Sequence, residues 1–261
     1  MENVNQNLTV LDSGGSGKVL VFLHGFMESK ELWQDFVPSL QSQYRVILLD
    51  LPGHGANTAA REDYSIESAA NYVRETLQAL QVNKFLLIGH SMGGYISMAF
   101  AEKYPELLTG VVLFHSSALP DTDEKKENRN KTIQFIQKHG VNKFMDTFVV
   151  PLFYEGNQHK QAAAIAFLTE TGKKVAPTAV IGAVTAMRDR PDRTEVLRQA
   201  DFPFLFISGK QDQAVTLAQT LQQCHLPKIA YTLFLDQTGH VGMFERPVET
   251  LAAVRNFAKI V

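Results

Sequence analysis

A chain of 261 residues with a single cysteine, Cys224, cannot be stapled by an internal disulfide, and neither a CxxC motif nor a four-thiolate metal site can be built from it. An excess of charge of one sign is also missing. Lys and Arg number 25 against 27 Asp and Glu, a net charge of -2, which leaves no electrostatic footprint for nucleic acid or an anionic bilayer. No apolar run is long enough to span a membrane. Met1 to Asn7 are polar and lack the charged-then-apolar order of a secretory leader, so the expectation is a cytoplasmic protein. Repeats and low-complexity tracts are absent. What is present, 45% hydrophobic and 20% charged residues, is the balance of a globular chain long enough for one large domain.

From near residue 18 onward, short β-rich runs alternate with helical periodicity. That alternation predicts an α/β fold, a mostly parallel central sheet flanked by helices. The core strands are predicted at Val19–Leu23, Val46–Leu49, Phe85–Ile88, Val111–Phe114, Phe204–Ile207 and Tyr231–Leu235, nearly continuous apolar runs of the kind buried on both faces. Leu8 to Leu11 reads as an added edge strand. Helices are predicted over Ser65–Leu80 with Ser65 as N-cap, over Met92–Tyr104, and over Val248–Ala258 behind Pro247. Between Ser116 and Asp192 the rhythm is helical without a clear strand, opening on a charged, solvent-like run from Asp121 to Lys131. The expected division is a core of residues 1–115 and 193–261 with a helical cap inserted at 116–192, over the sheet edge where open α/β sheets bind ligands.

Gly89-His90-Ser91-Met92-Gly93-Gly94 lies between a predicted strand and a predicted helix. The G-x-S-x-G pattern puts its serine on a sharp turn where flanking side chains would clash, at a helix N-terminus that favours developing negative charge. A serine hydroxyl needs a base to take its proton, and the base needs an acid to orient it. Behind such a turn the chain order is serine, acid, histidine. His240, in Gln237-Thr238-Gly239-His240, follows the last strand and is the expected base. Asp212 follows the strand before it and is the expected acid, with Asp121 and Asp123 ranking second. His115 follows a core strand and so could line the site, though the reading preferred is a polar residue leading into the insertion, while His139, His159 and His225 read as surface. The N–H groups of Met92 and Phe26 are the expected oxyanion donors. No second ligand at helical spacing accompanies His24, so no metal site is expected there.

With His24-Gly25-Phe26, Asp50-Leu51-Pro52-Gly53-His54-Gly55, the Ser91 motif, Asp212, Gly239-His240 and the sequel Glu245-Arg246-Pro247, the chain resembles the α/β-hydrolase superfamily over nearly its whole length. The resemblance implies the triad Ser91, Asp212 and His240, no cofactor, and an architectural role for Asp50 to Gly55. Serine at the nucleophile position, rather than aspartate or cysteine, points within that family to esterases, lactonases, aminopeptidase-like and thioesterase-like members, carbon–carbon bond hydrolases and cofactor-free perhydrolases.

The expected function is hydrolysis of a small to medium apolar ester, lactone or thioester through an acyl-enzyme on Ser91. The alternatives are a carbon–carbon bond hydrolase of the same fold, or a ligand sensor with little turnover. Met27, Met243, Phe148 and Phe153 are expected to touch substrate, with Phe167 roofing the site, whereas Arg188, Arg190 and Arg193 read as a solvated charged face. A small-molecule, ester-like substrate is the partner these residues imply, and a homodimer is compatible with the sequence.

Overall fold

A computed structural model describes residues 8–261, so the polar segment Met1 to Asn7 lies outside the described residues. Among the described residues the sheet has seven strands in the order β1-β3-β2-β4-β5-β6-β7. They are β1 (Val10–Asp12), β2 (Val19–Leu23), β3 (Arg45–Leu49), β4 (Phe85–His90), β5 (Leu108–Phe114), β6 (Phe204–Gly209) and β7 (Ala230–Leu235). All neighbours run parallel except β1, which pairs antiparallel with β3. The edge strand thus starts two residues later and ends one residue later than Leu8 to Leu11, and Leu8 is exposed.

β4 and β6 are buried at every position, as an apolar run covered by helices on both faces should be. β7 departs from that expectation, because its first three residues are exposed. It is an edge strand with a neighbour on one side only.

The helices are α1 (Ile66–Ala79), α2 (Met92–Lys103), α3 (Asp123–Phe148), α4 (Ala162–Gly172), α5 (Pro177–Asp189), α6 (Thr194–Gln199), α7 (Leu217–Gln223), α8 (Gly242–Glu245) and α9 (Pro247–Ile260). Ser65 caps α1, its hydroxyl accepting from Ser68 N at 3.1 Å, and Ile66, Ala69, Ala70, Val73 and Leu77 form the buried stripe. Ile66, Val73 and Leu77, fully buried, each contribute roughly 1.5–3 kcal/mol, the two alanines less. α2 is buried from Met92 to Ala101, so the segment that carries Ser91 is anchored in the core. α3 to α6 lie between β5 and β6 with no strand among them, and Gly140, at φ 79°, breaks α3 within its length. No helix of the described residues is long and apolar enough to cross a membrane.

The chain runs from β2 to β3 on one side and onward to β4 on the other, so the strand order reverses around β2. Open α/β sheets bind ligands beyond the carboxyl ends of the strands at such a switch point. Phe26, Ser91, His115, Asp212 and His240 all stand just past a strand's carboxyl end.

Candidate active site

β4 delivers Ser91 into a backbone conformation with φ 50° and ψ -115°, a region that non-glycine residues rarely occupy. The surroundings hold it there. Ser91 N donates to Phe114 O at 3.0 Å, and Ser91 O accepts from Ser116 Oγ at 2.7 Å and Gly94 N at 2.9 Å. The flanking glycines are a steric need: a Cβ at Gly93 would stand 2.6 Å from His24 O, and one at Gly89 would stand 2.4 Å from Gly93 O. Ser91 is half-buried and opens α2, whose first N–H groups face it with their partial positive charge.

Asp212 is buried beyond β6. Its Oδ1 accepts from the N–H groups of Ala214 at 2.8 Å and Val215 at 2.9 Å, while Oδ2 accepts from His240 Nδ1 at 2.8 Å. Burial works against its charge, but the adjacent His240 and His115 outweigh it and hold the carboxyl well below the usual range. His240 sits on a loop strapped to the segment between β5 and β6. His240 N donates to Leu152 O at 2.6 Å, and Glu245 accepts from Gly239 N at 2.8 Å, Tyr154 N at 3.0 Å and Asn157 Nδ2 at 2.8 Å.

His115 is not the bystander its sequence context suggested. It is buried, with φ 49°, and lies against the same carboxylate. Its Nε2 accepts from Gly242 N at 3.2 Å and its Nδ1 lies 3.1 Å from Asp212 Oδ2, the arrangement of a proton on Nδ1 donated to the carboxylate, with Gly209 N a longer 3.3 Å from the same nitrogen. Burial pushes this imidazole down to about 4, against the pull of Asp212, so it is neutral at neutral pH. Among the described residues His115, Asp212 and His240 also bring potential metal-ligand atoms within 4.8 Å of one another. Both Nδ1 atoms, however, are turned to the carboxylate as donors. Asp121, the second-ranked acid, is buried beside Arg190 and Arg129 instead, and Asp123 is exposed at the start of α3.

On the β2 side, His24 Nδ1 donates to Gly25 O at 2.7 Å and Nε2 accepts Leu51 N at 3.0 Å, tying this loop to the one after β3. Among the described residues neither the Phe26 N–H nor the Met92 N–H is taken up by a turn or loop carbonyl. Glu28 Oε2 accepts Gly25 N at 2.5 Å and faces His90 Nδ1 at 2.9 Å, and His90 Nε2 donates to His240 O at 3.0 Å. Neither Glu28 nor the two bonds of His90 had a local signal in the sequence. Asp50 is architectural, accepting Lys30 N at 2.8 Å, Ala56 N at 2.9 Å and Lys30 Nζ at 2.7 Å. His54 is buried, its imidazole pushed down to about 3 by burial and by His24.

The expected substrate contacts fall into two groups. Phe148 is half-buried and meets the Phe26 ring edge-on at 5.6 Å between centroids, and it stacks on Phe144 at 4.8 Å. Met27, Phe153 and Met243 are buried in the core, and Phe167 is exposed beside Phe244. Two of the three arginines at and beyond the end of α5 depart from the expected solvated face. Arg190 is buried, stacked 3.9 Å over the Tyr95 ring and paired with Asp121 at 2.8 Å. Arg193 is buried and paired with Glu67 and Glu102. Arg188 alone behaves as a surface residue, bound to the exposed Asp189. Planar guanidinium groups satisfied by carboxylates and an aromatic face tolerate burial that isolated charges do not.

A family model described as alpha/beta hydrolase fold matches residues 18–149. A 2-succinyl-6-hydroxy-2,4-cyclohexadiene-1-carboxylate synthase of Enterobacter sp. (strain 638) is 27% identical over 254 residues, covering 92% of each chain. Among solved structures, a thermophilic esterase from Thermogutta terrifontis superposes with a TM-score of 0.89 at 26% identity, over 96% of this chain and 92% of that one. The enol-lactonase from Burkholderia xenovorans LB400 superposes with a TM-score of 0.88 at 21% identity, over 96% of this chain and 95% of that one, a likeness of fold.

Proposed function

The chain belongs to the α/β-hydrolase family, and on that premise we propose that it is a serine hydrolase of uncharged, apolar carboxylic esters or lactones, acting through an acyl-enzyme on Ser91. The observation that carries this reading is the 2.8 Å bond from His240 Nδ1 to the buried Asp212 carboxylate, at the sheet edge that presents Ser91 on its strained turn. Asp212 fixes the tautomer, so Nε2 of His240 is the free lone pair. That nitrogen takes the Ser91 proton as the hydroxyl attacks the carbonyl carbon. The N–H groups of Phe26 and Met92 hold the oxyanion. His240 then returns the proton to the departing alcohol, activates a water against the acyl-enzyme, and releases the acid and a free Ser91 hydroxyl.

In this reading residues 116–192 act as a cap over a core of 1–115 and 193–261, and the Phe144–Phe148 stack against Phe26 forms an apolar wall for the acyl group. The relationship to the synthase, whose name is that of a carboxylate, favours chemistry on a carboxylate-bearing substrate as the second reading. The buried arginines weigh against it, because Arg190 and Arg193 are already committed to Asp121, Glu67 and Glu102. The test is hydrolysis of p-nitrophenyl esters from acetate to long acyl chains by the wild type and Ser91→Ala. Turnover abolished by Ser91→Ala supports the proposal. No turnover by the wild type, or full activity in Ser91→Ala, refutes it.

A further inference from the structure

We infer that the buried Glu28–His90 pair is a positioning device for the reaction assigned to Ser91, holding the oxyanion loop, the nucleophile turn and the base loop in one geometry. This rests on the serine-hydrolase reading and extends it to two residues outside the triad. Glu28 Oε2 binds Gly25 N, the residue before the Phe26 donor. The same oxygen faces Nδ1 of His90, the residue before Ser91. The other ring nitrogen, Nε2, reaches the backbone carbonyl of His240. Three segments that are separate in sequence are thus linked through one carboxylate and one imidazole.

The protonation follows from the partners. The His240 carbonyl only accepts, so Nε2 carries a proton, and Nδ1 donates to a carboxylate, so it carries one too. His90 is an imidazolium. Burial works against both charges, yet the facing Glu28 holds His90 above its ordinary value and His90 holds Glu28 below its own. Asp212 adds to the pull on His90, while the His115 and His240 rings face it at 6.3 and 5.0 Å between centroids.

A buried ion pair of this kind is on average no more stable than a well-packed apolar pair of the same size. What it supplies is direction: short, charge-assisted bonds that fix backbone atoms. Here the fixed atoms are Gly25 N and His240 O, on the segments that carry an oxyanion donor and the base. A displacement of about 1 Å at such groups is enough to cost on the order of a hundredfold in rate. The pair makes no contact that a substrate has to share, so its loss should fall on kcat.

The experiment compares wild type, Glu28→Gln, His90→Gln and the double variant. Two rates are measured on folded protein, p-nitrophenyl ester turnover and labelling of Ser91 by a fluorophosphonate. Glu28→Gln keeps the shape and the acceptor for Gly25 N while removing the charge, so it remains informative if His90→Gln folds poorly. The expected result is a drop of about tenfold or more in kcat and labelling rate for each single variant, with KM within about twofold and a double variant no worse than the poorer single. Wild-type rates in Glu28→Gln, a loss confined to KM, or losses that multiply in the double variant would overturn the inference. A wild type that labels at Ser91 but turns over no ester refutes the substrate assignment alone, and the labelling rates still decide the pair. A wild type that does not label at Ser91 overturns both.

Discussion

Replacing His115 by phenylalanine should give a stability deficit that depends on pH. The ring volume is retained, but Gly242 N loses its acceptor and Asp212 loses a donor. An orphaned buried N–H costs about 1–3 kcal/mol, and a hydrogen bond to a charged group is worth about 1.5–3 kcal/mol, so His115→Phe should be less stable by about 3 kcal/mol at pH 8. The wild-type imidazole takes a proton only near 4 in the folded state, against 6.5 when unfolded. Between those values the unfolded chain binds more protons, so the histidine's contribution is whole above pH 6.5 and is lost as pH falls toward 4. A gap of two and a half units corresponds to about 3 kcal/mol. The variant lacks this titration. Urea unfolding at pH 8, 6.5, 5 and 4 should therefore show a difference of about 3 kcal/mol at pH 8 that closes toward zero at pH 4. A difference that stays constant across the series would show that His115 is not held neutral.

The other expectations concern the acid, the strap, the elbow and the wall. Asp212→Asn should fold and lose about 10⁴-fold in kcat through the wrong His240 tautomer, as steady-state ester kinetics would show. Glu245→Ala removes the acceptor shared by Gly239 N, Tyr154 N and Asn157 Nδ2, so unfolding should become easier by about 2 kcal/mol and kcat should fall with it. Gly93→Ala puts a Cβ 2.6 Å from His24 O, and fluorophosphonate labelling of Ser91 should be slowed even where circular dichroism reports a folded chain. Phe148→Ala should raise KM for longer acyl chains while leaving acetate nearly unchanged, because it thins the wall against Phe26.

The central sheet was legible because β2 to β6 are continuous apolar runs punctuated by glycine, proline and polar turns, a signal that burial on both faces imposes locally. The elbow was legible for a similar reason: the clash that forbids side chains at Gly89 and Gly93 is written within a few residues of Ser91. The exposed start of β7 was misread because an edge strand and a central one share the same apolar composition. The polar couplings were not legible at all. His115 meets Asp212 across 97 residues, and His90 meets Glu28 across 62 and His240 across 150. Nothing near any one of these residues in the chain announces its partner. Arg190 and Arg193 looked solvated because an arginine's burial depends on acids that tertiary structure brings, Asp121, Glu67 and Glu102.

The most direct test of the central claim is to trap the covalent intermediate. Wild-type protein is mixed with a slowly deacylating p-nitrophenyl ester, quenched in acid within the first turnovers and digested for mass spectrometry. The expected result is the mass of the acyl group on the peptide that contains Ser91, absent from Ser91→Ala and accompanied by a burst of p-nitrophenol equal to the enzyme present. Steady product formation with an unmodified Ser91 peptide and no burst would contradict nucleophilic catalysis by Ser91.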